Sequence, residues 1–163
     1  MTNFIACPIL AVLVCFATGC APSKIDELPI VDGEHIPVRQ TINVGRVTSP
    51  GVHLIQSVDD FVQLTGQPSE SVSQAFQSVD FSRETVVVAA LGERNTTGYS
   101  IRIVGIALRK DVLNVYLRES SPSGNGPVGM AFTYPTHAVV LEKLSESLKV
   151  NVVDGGMHAS LMR

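Results

Sequence analysis

Apolar and polar positions alternate along much of this chain. Ile36, Val38, Ile42 and Val44 share one parity, while Arg39, Thr41 and Asn43 take the other. A period of two predicts one half-buried strand. Val52 to Ile55 predicts a short second strand after the Ser49-Pro50-Gly51 break. Tyr99, Ile101 and Ile103 alternate with Ser100 and Arg102, and Leu113, Val115 and Leu117 alternate with Asn114, Tyr116 and Arg118. The short polar run Arg109-Lys110-Asp111 between them predicts a hairpin. Thr85 to Leu91 is different. It is a nearly unbroken apolar run rich in β-branched residues, which predicts the central strand, covered on both faces. Met130 to Leu141 is extended with a break at Pro135, and Leu148, Val150 and Val152 predict a last strand.

The period changes once. Ser57 can cap a helix whose first turn carries Asp59 and Asp60, where carboxylates favour the positive end of the helix dipole. Phe61, Val62 and Leu64 form its apolar stripe, Gly66 suits the C′ position and Pro68 stops propagation. Val72, Ala75, Phe76 and Val79 predict a second short helix from Ser71 to Val79. The resulting fold class is α+β: a mainly antiparallel β-sheet, or a small sandwich, with one or two short helices inserted after the first strands.

Of the first 20 residues, 15 are hydrophobic, and all three cysteines of the 163-residue chain lie among them. The apolar run from Phe4 to Phe16 is shorter than the roughly 20 residues an ordinary spanning helix needs, and it fits the h-region of a secretory signal. Ala17-Thr18-Gly19-Cys20 then resembles a bacterial lipobox, with Cys20 as the lipidated residue. The expected organisation is a signal peptide over 1–19, a lipidated Cys20 and tether over 20–34, a folded domain over 35–155 and a frayed tail over 156–163. Ala21, rather than Asp, after the cysteine resembles the signal for outer-membrane placement, facing the periplasm of the cell envelope. Acyl chains would then fix the protein to the membrane, since each buried methylene contributes about 0.8 kcal/mol.

Charge changes the picture little. Charged residues are 17% of the chain and the net charge is −3, without a basic tract, so no nucleic-acid partner is expected. His35, His53, His137 and His158 are scattered. Asp32/His35 and Asp154/His158 have ligand-like spacing, but glycines interrupt both, so no metal site and no cofactor are expected. No G-x-S-x-G elbow occurs, and no catalytic set is assigned. Gly124 to Gly129 formally matches G-x-G-x-x-G, yet Pro127 lies inside it and an extended segment follows, so a hairpin loop is the reading.

The Gly92–Tyr99 loop is longer than a hairpin requires. Gly98 suits a positive φ, Thr96 and Thr97 can bond the turn internally, and Tyr99 can bury its ring while its hydroxyl reaches the loop backbone. Arg94, Asn95, Thr96, Thr97, Gly98 and Tyr99 form a candidate partner-binding loop. Ser123, Gly124, Asn125 and Gly126, in the Ser120–Gly129 loop, form a second.

At this loop the sequence resembles the PrcB C-terminal domain family. Asp80-Phe81-Ser82, the strand Val86–Leu91 and the loop Gly92–Tyr99 follow its pattern, with Asn95 in place of a Pro and Thr97 in place of a Gly. Pro122-Ser123-Gly124 and Tyr134-Pro135-Thr136-His137 continue it, over roughly residues 78–142. The resemblance implies a non-catalytic module that binds an envelope protein, since the family takes its name from a lipoprotein that associates with and stabilises a surface protease complex. A second resemblance is to chagasin-type cysteine-protease inhibitors, through Thr96-Thr97-Gly98-Tyr99 and the Gly124-Asn125-Gly126 run. It implies instead that the Arg94–Tyr99 loop enters a protease.

Overall fold

The computed structural model describes residues 33–67, 76–122 and 129–154. The signal segment, Cys20, most of the tether, the Ser123–Gly126 loop and the C-terminal tail therefore lie outside the described residues. Among the described residues, eight strands and one helix follow in the order β1 (Glu34–His35), β2 (Gln40–Ile42), β3 (Gly51–Ile55), α1 (Val58–Thr65), β4 (Glu84–Ala90), β5 (Ser100–Arg109), β6 (Val112–Ser120), β7 (Thr136–Glu142) and β8 (Lys149–Asp154). They form two four-stranded sheets, ordered β1-β5-β6-β8 and β2-β7-β4-β3. The fold is α+β and dominated by its sheets.

The sheets pack face to face. Val87, Ala89 and Leu91 meet Ile101, Ile103, Ile106, Leu113, Val115 and Leu117 in one core. Val86, Val88 and Ala90, on the other face of β4, meet Phe61 of α1 together with Val44, Val47 and Phe76. The β2-β7-β4-β3 sheet is thus a middle layer between a second sheet and a helical cover. This explains the unbroken apolar run of β4: every residue from Thr85 to Leu91 is buried because neither face meets water.

Local chemistry sets the helix limits. The Ser57 side chain accepts from the Asp60 backbone N–H at 3.1 Å, and the Asp60 carboxylate accepts from the Ser57 N–H at 2.9 Å, a complete capping box. Gly66 closes the helix with φ 64°, its N–H bonded to the Val62 carbonyl. The predicted hairpin forms through Lys110 and Asp111, with Arg109 opposite Val112.

Three expectations change. The single strand predicted from Ile36 to Val44 is split between the two sheets. Ile36 N–H still bonds Ile106 of β5, Pro37 has no N–H to offer, and Arg39 N–H already bonds Val140 of β7. Ile36 therefore packs between the sheets, whereas Ile42 packs on the helix side. The last strand pairs in parallel with β6, while every other strand pair is antiparallel. Lying at a sheet edge, β8 leaves Val152 half exposed rather than buried. Most of the second predicted helix lies outside the described residues, and its end, Phe76 to Ser78, is a turn closed by the Val79 N–H bond to Phe76. The break expected at Pro135 is present: β7 starts at Thr136, and the segment before Pro135 has another use.

Candidate functional site

That segment clasps the Gly92–Tyr99 loop. The β4–β7 ladder reaches Ala90 opposite Thr136, and Leu91 N–H adds one bond to the Pro135 carbonyl at 3.0 Å. The chain then bends at Gly92, whose φ is 72° and where a Cβ would stand 2.9 Å from the Thr48 carbonyl oxygen. Beyond the bend Arg94 and Thr133 exchange two backbone hydrogen bonds, each 2.8 Å. Thr133 Oγ1 donates to the Thr96 carbonyl at 3.0 Å. Thr97 N–H bonds the Gly129 carbonyl at 2.9 Å, and Gly129 N–H returns a bond to Thr97 Oγ1 at 2.9 Å. Gly98, at φ 96°, lets Pro122 pack against the loop.

The structure thus brings the first candidate loop against both ends of the second, Pro122 and Gly129. Ser123, Gly124, Asn125 and Gly126 themselves lie outside the described residues. Two expectations are corrected. The threonines bond across to the 129–133 arm rather than within the turn, because the arm supplies backbone partners at strand spacing. The Tyr99 ring packs at the edge of the inter-sheet core with Arg94 5.5 Å from its centroid, and among the described residues its hydroxyl has no hydrogen-bond partner in the loop.

Charge is locked beside the clasp. The Tyr134 hydroxyl donates to the Glu93 carboxylate, and this bond, before any burial, holds its pKa above the ordinary tyrosine range. The Arg46 guanidinium covers the Tyr134 ring at 4.1 Å and reaches Glu93 at 3.9 Å. Arg94 Nη1 donates to the Glu93 carbonyl at 3.1 Å. The arm also shows what the sequence reading missed. Met130 is 93% exposed and Phe132 71% exposed, on a segment whose backbone is pinned on both sides. Their parity, two apart beside a Gly-rich loop, was the available signal, but it reads equally as the start of a strand.

His137 couples this end of β7 to the opposite sheet. Its Nδ1 accepts the Ile103 N–H at 3.2 Å. Burial first, and the Arg102 charge second, lower its pKa below the ordinary value of 6.5. The neutral ring is therefore the folded form, and a proton on Nδ1 would cancel the bond. The unfolded chain binds that proton at higher pH than the folded one, so stability from this ring is complete above the unfolded pKa and is lost as pH falls through the folded one. The urea midpoint should therefore fall between about pH 8 and about pH 5, with part of the slope removed in His137→Gln. An identical slope in that variant would show that His137 contributes nothing.

No curated protein and no solved structure matches this chain. Residues 85–142, from the first buried position of β4 to the end of β7, match the family model described as PrcB C-terminal; that span carries the whole clasp and bears out the family resemblance read from the sequence.

Proposed function

We propose that this chain is a non-catalytic protein-binding module of the bacterial envelope, held at the membrane through lipidated Cys20, and that the clasp of residues 92–99 and 129–134 is its contact surface. The observation that carries the reading is the exposure of Met130 and Phe132 on a fixed arm. An apolar side chain in water gains by transfer into a partner's pocket, and a backbone already held by hydrogen bonds gives up little entropy on docking. Arg94 and Tyr99 beside them belong to the residue types that dominate binding energy at interfaces. The family match favours a protease complex as the partner.

Photo-crosslinking in intact envelopes tests this. A crosslinker at exposed Asn95 should trap a partner that the same group at exposed Asp59 on α1 does not. Equal trapping from both positions, or none from Asn95, would remove the clasp as the contact. Direct inhibition of a papain-like protease by the purified chain would favour the chagasin-like alternative.

A further inference from the structure

We propose that Arg102 and Arg118, flanked by Ser100 and Ser120, form a binding site for a phosphate group on the outer face of the β1-β5-β6-β8 sheet. The pairing of β5 and β6 sets Ser100 opposite Ser120 and Arg102 opposite Arg118. Ile101, Ile103 and Leu117 point into the inter-sheet core. Strand alternation therefore sends both arginines and both serines to the opposite face, where all four are exposed.

Like charges directly opposite each other across a strand pair are unfavourable. Nothing among the described residues offsets this pair. Ion pairs among the described residues join Arg39 to Glu84 and Arg46 to Glu93, and neither Arg102 nor Arg118 is ion-paired to a described carboxylate. The next rung on the same face, Gly105 opposite Tyr116, brings no anion. The register shift between Ile103 and Gly105 falls immediately beside the pair. A bulge increases local twist and re-aims the neighbouring side chains, and bulges are over-represented next to functional sites. The imidazole of His137, bonded to Ile103, sits close enough to feel the Arg102 charge and adds no negative charge of its own.

The chemistry selects the ligand. Opposed residues have Cβ atoms about 5 Å apart, so two long side chains can converge on one anion. Each guanidinium offers a planar fork that matches oxyanions with two parallel N–H bonds. Two forks and two hydroxyls exceed what the two oxygens of a carboxylate can accept, and they suit the tetrahedral oxygens of phosphate. That group can come from a soluble phosphate or from a phospholipid headgroup.

The two sources separate in one experiment on the full chain in neutral detergent, following the arginine Nε–H resonances by NMR. Inorganic phosphate, against chloride at matched ionic strength, should shift Arg102 and Arg118 together and saturably. A response only when phosphatidylglycerol is added to the micelles would assign the site to the headgroup. No response to either probe, or equal shifts at Arg39 and Arg83, would overturn the proposal. Arg118→Gln should weaken the Arg102 response about tenfold, the loss of one charge-assisted contact. The same variant without phosphate should melt about 1–2 °C higher, because the like-charge contact is relieved. Wild-type titration in that variant, or a lower melting temperature, would show that the arginines serve the fold instead.

Discussion

Replacing Met130 and Phe132 together with serine should cut partner capture at least tenfold while leaving the melting temperature within about 2 °C of the parent. The two effects separate because of where the side chains stand. Met130 is 93% exposed and Phe132 71% exposed, so the fold gains almost nothing from them. Surface changes of this kind stay within about 0.5 kcal/mol. The arm does not depend on them either. Its bonds to the loop use the backbones of Gly129 and Thr133 and the Thr133 hydroxyl. Binding is another matter. A buried aromatic anchor at an interface commonly contributes about 2 kcal/mol or more, well over a tenfold change in affinity. Crosslinking yield from Asn95, read beside thermal melts of the same preparations, checks both halves. Undiminished yield would mean that the partner meets another surface. A melting temperature several degrees lower would mean that these residues pack on the fold, and the binding result would then carry no weight.

What the sequence disclosed divides along the range of the forces involved. Ser57, Asp60 and Gly66 act within a few residues of each other, so the helix limits were legible. The β5–β6 hairpin was legible for the same reason, since alternation and a two-residue turn are local. The β4 run announced burial on both faces but not the cause, which is a middle layer built from strands far apart in sequence. Where a strand goes is a contest between distant partners. Ile36 and Ile42 share parity and hydrophobicity, yet one finds Ile106 and the other the β7 edge, and only the missing N–H of Pro37 hinted at a break. The parallel β6–β8 pairing and the exposure of Val152 are non-local in the same way. At the candidate site the loop itself was visible through its glycines. Its partner was not, because Thr97 meets Gly129 across 32 positions, and no period or spacing records such a bond.

Phe61→Ala should have the largest effect on stability, a loss of about 3–5 kcal/mol seen as a lower urea midpoint with little change in slope. Phe61 is completely buried, and its ring meets Phe76 edge-on with centroids 5.0 Å apart; Phe76 in turn meets Phe81 at 5.5 Å. Alanine would leave a ring-sized void between α1 and the Val86–Val88–Ala90 face of β4. The helix has only eight residues, too few to persist in water without its docked face. A domain whose whole stability is about 5–15 kcal/mol has little reserve against such a loss. Val62→Ala, at a half-buried position on the same helix, should cost less, and a Phe61→Ala loss below about 1 kcal/mol would show that the helical cover is dispensable. The damage should also be directional. Phe61 packs on the face of β4 that points away from the second sheet, whereas Val87, Ala89, Leu91 and Tyr99, which lead into the clasp, belong to the core between the sheets. Below its unfolding transition the Phe61→Ala protein should therefore still crosslink from Asn95 as the parent does, since the Arg94–Thr133 and Thr97–Gly129 bonds that hold the loop draw nothing from the helix.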